Sequence, residues 1–485
     1  MRLVALLAVL AACERTVTEH IDGNDGALRL LLVNPTSCSA CDPWRGVDTV
    51  RIEVLRHDEL VAAAEFSYPG EALSLPDLEG FGVVRVVVSG LSGGEVISAG
   101  RTAEITLAPG ITREWSLVFL PVNQGLPLTS SMMAPRSRHQ SITLRDGRVL
   151  LAGGLSPGRG AAYAGIEAYN PSTGAFAGLG YDLAGDAGDM ARLSYDDGEV
   201  MFVGGTTVAG GVETPVTTVT GFLEEADNAY PLASLPVARS APCASRFAAH
   251  QAIVFGGHQG DPYGDMLVLG EDGRWAWSSF PMRDLDETRV TGCVALADDR
   301  TFVQGLDADS TGVWPFTSES APYLEPAECF EKLSAGSAGE AAVYGHGMAL
   351  VSLADGAAWV GGGLDASSGR PAPTAREFDP SAMRFVEARS QPTRSRVEGP
   401  VVDWIFGDWK AWGCGFVDGS RGEPESSVEL FDIESGDLGP VVGLDRERPG
   451  CHLAVMHDGS VLVTGGFDEG DEAAVSAAII IPWLD

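Results

Sequence analysis

Residues 136–154 read RSRHQSITLRDGRVLLAGG. A polar turn leads into a short strand. Asp146-Gly147 supplies the positive backbone dihedrals of a tight hairpin turn. Val149-Leu150-Leu151-Ala152 is an apolar run suited to a buried strand. The closing pair Gly153-Gly154 lets the backbone turn where a side chain would collide. The pattern returns down the chain. Gly154, Gly205, Gly257, Gly363 and Gly466 close double-glycine pairs, and Gly305 and Gly415 close degenerate ones, at intervals of 51, 52, 48, 58, 52 and 51 residues. Asp146, Asp197, Asp355 and Asp458, each followed by Gly, stand eight residues before their anchors. Repetition at a fixed period outranks any single motif as a fold signal.

Each repeat continues in the same way. A loop leads to a third strand, as in Ile166-Glu167-Ala168-Tyr169-Asn170-Pro171, Glu377-Phe378-Asp379-Pro380 and Val428-Glu429-Leu430-Phe431-Asp432. A turn and a fourth strand with an aromatic follow, Phe176 in the first repeat and Phe385 in the fifth. The Arg/His-bearing first strand, the Asp-Gly turn, the double glycine and the aromatic-Asp/Asn-Pro strand together resemble the kelch repeat. That resemblance implies a β-propeller of four-stranded blades over residues 121–485, with seven blades and six as the alternative count. Only 19 residues follow Gly466, holding one strand at Val475–Ile481. The last blade is thus short of a strand that residues near Leu126–Met133 could supply, a join that removes free sheet edges.

The N-terminus has another texture. Met1-Arg2 is a minimal positive region, Leu3–Leu10 is apolar, and Leu10-Ala11-Ala12-Cys13 resembles a bacterial lipobox. The apolar run is too short to span a membrane, which takes roughly 20 residues. The resemblance implies a signal peptide over 1–12 and lipidation of Cys13, with Glu14 pointing to the outer membrane or cell surface. Residues 13–26 then read as the lipidated cysteine and a polar tether. From 27 to 120, strand-like runs recur at Leu28–Val33, Thr49–Leu55, Leu60–Phe66, Val83–Val88, Glu95–Ile97, Ala103–Leu107 and Glu114–Phe119, separated by Pro69-Gly70, Ser92-Gly93-Gly94 and Pro109-Gly110. Short alternating strands at this density suggest a β-sandwich. The fold class is therefore all-β, a sandwich followed by a kelch-like propeller.

Charge narrows the function. The 485 residues carry 67 acidic and 32 basic side chains, a net charge of −35. Such a surface repels phosphate backbones, which argues against nucleic acid as a partner. Of the eight cysteines, seven remain if Cys13 takes a lipid, so one stays outside any intrachain pairing. Export permits disulfides. Cys38-Ser39-Ala40-Cys41 closes a small loop or stays reduced. Cys243, Cys293 and Cys451 fall 14, 12 and 15 residues before their anchors, near first strands. Cys243–Cys293 there is either a bridge between repeats or a pair of small buried residues.

The chemistry-bearing candidates are weak. Cys38-x-x-Cys41 has no second half for zinc. Asp307-Ala308-Asp309 opens like a calcium loop, but its twelfth position is Ser318. Asp468, Glu469, Asp471 and Glu472 read as a solvated loop. The galactose-oxidase type of propeller needs two His, two Tyr and a Cys–Tyr crosslink. His139 and His452 sit instead at a recurring first-strand position, and Tyr344-Gly345-His346 is the only close Tyr/His pair. Ser194-Tyr195-Asp196-Asp197-Gly198 resembles a sialidase Asp-box but carries Met201 where Trp belongs, so it reads as a hairpin. Gly90-Leu91-Ser92-Gly93-Gly94 fits a nucleophile elbow in spelling but is followed by a strand rather than a helix. Trp275, Trp277, Trp404, Trp409 and Trp412 serve packing or a binding surface. The expectation is an envelope-anchored lipoprotein that binds a protein or glycan through loops between blades, without catalysis, metal or cofactor. The insertion between Gly305 and Gly363 is the first place to look. A surface enzyme acting on carbohydrate and a structural envelope component are the alternatives.

Overall fold

The computed structural model describes residues 16–23, 28–36, 38, 41–76, 82–108, 113–156, 161–195, 197–248, 251–257, 263–269, 274–281, 290–296, 300–305, 311–314, 331–333, 348–363, 374–392, 401–403, 409–414, 426–467 and 474–483. These residues are built from β-strands, with a single 3-10 turn at Glu224–Ala226. None of their segments is a helix long and apolar enough to cross a membrane. They divide into two units. One runs to Val122 and takes in Leu126–Ser131 and Asn170–Phe176, and the other holds the rest.

The first unit has ten strands: β1 (Thr16–Gly23), β2 (Leu28–Asn34), β3 (Thr49–Arg56), β4 (Glu59–Ser67), β5 (Ser74–Leu75), β6 (Gly82–Ser92), β7 (Glu95–Arg101), β8 (Ile105–Leu107), β9 (Arg113–Val118) and β10 (Leu120–Pro121). They form a sheet ordered β5-β1-β2-β9 and a second ordered β10-β7-β6-β3-β4, with β8 on β6. Alternation explains the packing. Val50, Ile52 and Val54 of β3 point inward and are fully buried, while Arg51 and Glu53 stand between them on the other face. They meet Ile21, Leu30 and Leu32 of the other sheet and Val84, Val86, Val88, Leu117 and Phe119 in one shared core.

One expectation is corrected here. The polar stretch read as a tether holds strand β1, which pairs antiparallel with β2 from Thr16↔Asn34 to Asp22↔Arg29 and parallel with β5. A run this polar forms a paired strand rather than a linker: Ile21 is fully buried, and Asp22 pairs with Arg29 at 2.6 Å.

The second unit holds seven four-stranded sheets, each antiparallel throughout the pairings described. We number them sheets 1 to 7 in chain order. Their first strands are Gln140–Thr143, Ala191–Ser194, Cys243–Ala248, Val290–Ala295, Met348–Ser352, Val401–Asp403 and Cys451–Val455. Sheets 1 to 6 take four successive core strands. Sheet 7 takes three, ending at Ala477–Ile480, and its outer strand is Gly125–Pro127. Second strands are buried along their whole length at Val149–Ala152, Glu199–Val203, Thr301–Gly305, Ala358–Gly362 and Val461–Gly465. Apolar clusters lie between consecutive sheets: 1 with 2, 2 with 3, 4 with 5, 5 with 6 and 6 with 7.

The double glycines make the junctions. Gly154 N–H donates to Ala187 O at 2.8 Å, and Gly205 N–H to Arg239 O at 2.9 Å. Each acceptor lies four residues before the next sheet's first strand. Gly466 N–H donates to Arg136 O at 3.1 Å, so sheet 7 meets sheet 1 by the same bond. The approach is too close for a side chain: a Cβ on Gly153 would stand 2.3 Å from Ala187 O, and one on Gly465 2.1 Å from Arg136 O.

Candidate functional site

A buried arginine sits behind three of these junctions. Arg136 Nη1 donates to Gly153 O at 2.8 Å, Arg239 Nη1 to Gly256 O at 2.6 Å, and Arg448 Nη1 approaches Gly465 O at 3.5 Å. In each case the arginine precedes its glycine by 17 residues. A carboxylate matches the charge: Glu167 at 2.7 Å, Asp265 at 2.9 Å and Asp445 at 3.0 Å respectively. Glu167 and Asp265 stand on third strands, and neither is exposed. Burial lowers the pKa of Arg136, and Glu167 opposes that shift. A buried charge is tolerated only when it is paired and hydrogen-bonded, so these carboxylates are fixed by the arginines. The repeat count alone does not single them out. The signal that could have found them is the acidic residue set among apolar neighbours in Ile166-Glu167-Ala168.

Sheet 5 varies the device and opens a cleft. The turn Asp355-Gly356 joins its first two strands and Asp379-Pro380-Ser381 joins its last two. In a four-stranded meander both turns emerge at one end. They line a cavity of about 570 Å³ together with Arg300, Ala357, Glu377 and Arg389. Arg389 binds Glu377 through its backbone N–H at 2.9 Å and through Nε at 3.1 Å, and its Nη2 pairs with Asp355. Burial pulls the Arg389 pKa down, but Glu377 and Asp355 outweigh it and the net shift is upward. Asp379 Oδ1 accepts from the Ser381 hydroxyl at 2.6 Å, from Ser381 N–H at 2.8 Å and from Ala382 N–H at 3.1 Å. The Ser381 hydroxyl leads in holding the Asp379 carboxyl below its ordinary range. The cleft thus alternates carboxylate and guanidinium on rigid hairpin turns. Its volume falls in the range of ligand sites, about 300–1,000 Å³, and its lining suits a ligand rich in hydroxyl or amide groups.

The sequence candidates divide into those outside the described residues and those in the packing. Cys13 lies outside them, as do Asp307, Asp309, Ser318, Tyr344, His346, Trp404, the Asp468–Glu472 cluster and most of the Gly305–Gly363 insertion. Trp359 and Trp412 are buried with rings edge-on at 5.4 Å. Trp409 packs beside the core between sheets 6 and 7. Trp275 packs on Tyr195 at 5.2 Å, and Trp277 Nε1 donates to Ala233 O at 2.7 Å. Ser92 ends β6 and Gly93-Gly94 turn into β7. Tyr195 and Gly198 close the hairpin expected for the Asp-box resemblance, with Gly198 N–H on Tyr195 O at 3.0 Å. Among the described residues no cluster of three or more His, Cys, Asp or Glu is placed to hold a metal ion.

The six cysteines among the described residues are paired. Cys38–Cys41, Cys243–Cys293 and Cys414–Cys451 are disulfides, with Cα separations of 5.2, 5.8 and 5.1 Å. The second ties the first strands of sheets 3 and 4, and the third ties sheet 6 to the first strand of sheet 7. His139 and His452 come together where sheets 7 and 1 meet, with ring centroids 5.6 Å apart.

No protein-family model matches the chain, and no curated protein matches it either.

Proposed function

We propose that the chain is an exported, lipid-anchored envelope protein that binds a protein or glycan without catalysis. In this reading the two sheets of the first unit are a β-sandwich, and the seven sheets of the second are the blades of a kelch-like β-propeller. The Gly466–Arg136 bond supports the propeller, because it repeats at the chain's end the contact that joins sheets 1 and 2. Three disulfides support an oxidising compartment, and with lipidation of Cys13 that compartment would be the cell envelope.

The observation that carries the binding reading is the cleft of sheet 5. Its carboxylates Asp355 and Glu377 are committed to Arg389, which suits recognition by fixed polar groups better than proton transfer by a free base. The test is a glycan array and a pull-down with the chain from Glu14, which keeps β1 whole, against its Asp355→Ala/Asp379→Ala variant. Binding by the parent and loss in the variant are expected. Binding that ignores the variant would remove the cleft from the reading, and turnover of a bound glycan would replace binder with enzyme. Radiolabelled palmitate should enter the full chain and not its Cys13→Ser variant.

A further inference from the structure

The seam between sheets 7 and 1 brings two histidines together. His139 precedes the first strand of sheet 1 and His452 lies on the first strand of sheet 7. His139 is fully buried, with Nε2 2.8 Å from Thr464 Oγ1 and no hydrogen-bond partner at Nδ1. His452 Nδ1 is 2.7 Å from Ser141 Oγ. The network assigns the protons. Thr464 Oγ1 donates to His452 O at 3.4 Å and Ser141 Oγ to Leu453 O at 3.0 Å. Each hydroxyl has therefore spent its proton and accepts from an imidazole N–H. Both rings are neutral, and each uses its single N–H across the seam.

We infer that this histidine pair is an acid-sensitive latch: protonation parts sheet 7 from sheet 1 while the other junctions hold. A second proton on His139 would lie at Nδ1, buried and without an acceptor, where an unpaired charge is costly. The charged groups facing the pair are cationic. Arg136 stands beside His139 on the same loop, and Arg192 of sheet 2 reaches Ser141 O at 2.6 Å beside His452. Arg448 lies behind Gly465. Glu167 is already matched to Arg136 and Asp445 to Arg448. The first strand of sheet 6, Val401–Asp403, also packs on sheet 7's first strand, and its side chains are outside the described residues. Burial first, then His452 and Arg136, push the His139 pKa well below its ordinary value, and burial first, then Arg192, push His452 down to about 4. Both groups are neutral when folded and basic when unfolded, so the seam is intact above pH ~6.5 and weakens as pH falls toward 4.

Two other junctions are tied by a bond that pH does not touch. Sheets 3 and 4 share a disulfide, as do sheets 6 and 7, and neither bond titrates with pH. Acid therefore acts at the seam held by His139 and His452 before the two seams held by disulfides.

Hydrogen exchange of the full chain between pH 7.5 and 4, corrected for intrinsic rates, tests the latch. Residues 136–143 and 461–466 should lose protection at a higher pH than residues 243–255 and 290–305. In His139→Gln/His452→Gln, which keeps amide hydrogen bonding without titration, that loss should move down by about one pH unit or more. Arg192→Gln, which removes a facing cation and raises the His452 pKa, should also move it down, and serves if the double variant does not fold. Simultaneous loss across all sheets, or an unmoved midpoint in a folded variant, would overturn the latch.

Discussion

Gly465→Ala isolates what the double glycine does. Gly465 has φ +63 and Gly210 has φ +60, so alanine meets nearly the same left-handed strain at either site, about 1–2 kcal/mol. The surroundings differ. A Cβ on Gly210 meets nothing within 4 Å, and one on Gly465 lies 2.1 Å from Arg136 O and 3.0 Å from His139 Cε1. Ordinary contact begins at 3.4 Å, so the Arg136 carbonyl must retreat by more than an ångström. That movement breaks its 3.1 Å bond from Gly466 N–H. An unmade bond at a buried carbonyl adds about 1–3 kcal/mol. We expect Gly465→Ala to cost about 2–5 kcal/mol and Gly210→Ala about 1–2. Urea unfolding followed by tryptophan fluorescence reads both, because Trp359 and Trp412 are buried in this unit. Equal losses from the two variants would show that backbone strain alone, and not the approach of the next sheet, explains the glycine.

Replacing Cys243 and Cys293 by Ser removes a bridge across 50 residues, and loop-closure entropy puts the loss at about 4 kcal/mol, seen as a lower urea midpoint. Starting the chain at Ile21 deletes the half of β1 that pairs with Leu31–Asn34, so β2 amides should exchange faster while those of sheets 1 to 7 do not change. Arg239→Lys keeps the charge but cannot hold both Asp265 and Gly256 O, and should cost about 2 kcal/mol. At exposed Arg29 the same change should leave the urea midpoint where it is.

The repeated sheets were legible because backbone sterics leave a mark that survives sequence drift. At Gly154, Gly205 and Gly466 a left-handed φ coincides with neighbours 3.0 Å or less from a Cβ, so glycine marks the period and it could be counted there. The seven N-terminal runs were legible for a similar reason: two-residue alternation such as Val50-Arg51-Ile52 has one structural solution when one face is buried. The missing strand of sheet 7 starts at Gly125, beside the stretch expected from the shortage after Gly466. Strand β1 was hidden because a run as polar as Thr18-Glu19-His20-Ile21-Asp22 reads as a tether. Glu167, Asp265 and Glu377 were hidden because an acidic residue in a strand reads as solvent-facing unless its arginine is known, and Arg136 lies 31 residues from Glu167. The cleft of sheet 5 was hidden for the same reason, since Asp355 and Asp379 come from separate turns. The hairpin of Thr206–Ala209 with Val212–Pro215 follows the double glycine of sheet 2, as the shorter pair Leu155–Ser156 with Ala161–Ala162 follows that of sheet 1, and neither was read from the repeat pattern.

The interactions that hold the second unit are concentrated between sheets rather than within loops. The glycine-to-carbonyl bonds, the apolar clusters and two of the disulfides join one sheet to another, and each buried Arg–carboxylate pair fixes the loop that receives or flanks such a bond to its own sheet. This also bears on why arginine so outnumbers lysine, which occurs only at Lys332 and Lys410. At Arg136, Arg239 and Arg448 one side chain must satisfy a backbone carbonyl and a carboxylate together, which a planar fork does and a single ammonium does not. The requirement stops where the junction stops. Beyond the double glycine, Val212 is 64 % exposed, and at Gly210-Gly211 the positive φ of the turn, and no neighbouring atom, favours glycine. A chain built in this way can change what its loops present without disturbing the contacts that hold its sheets together.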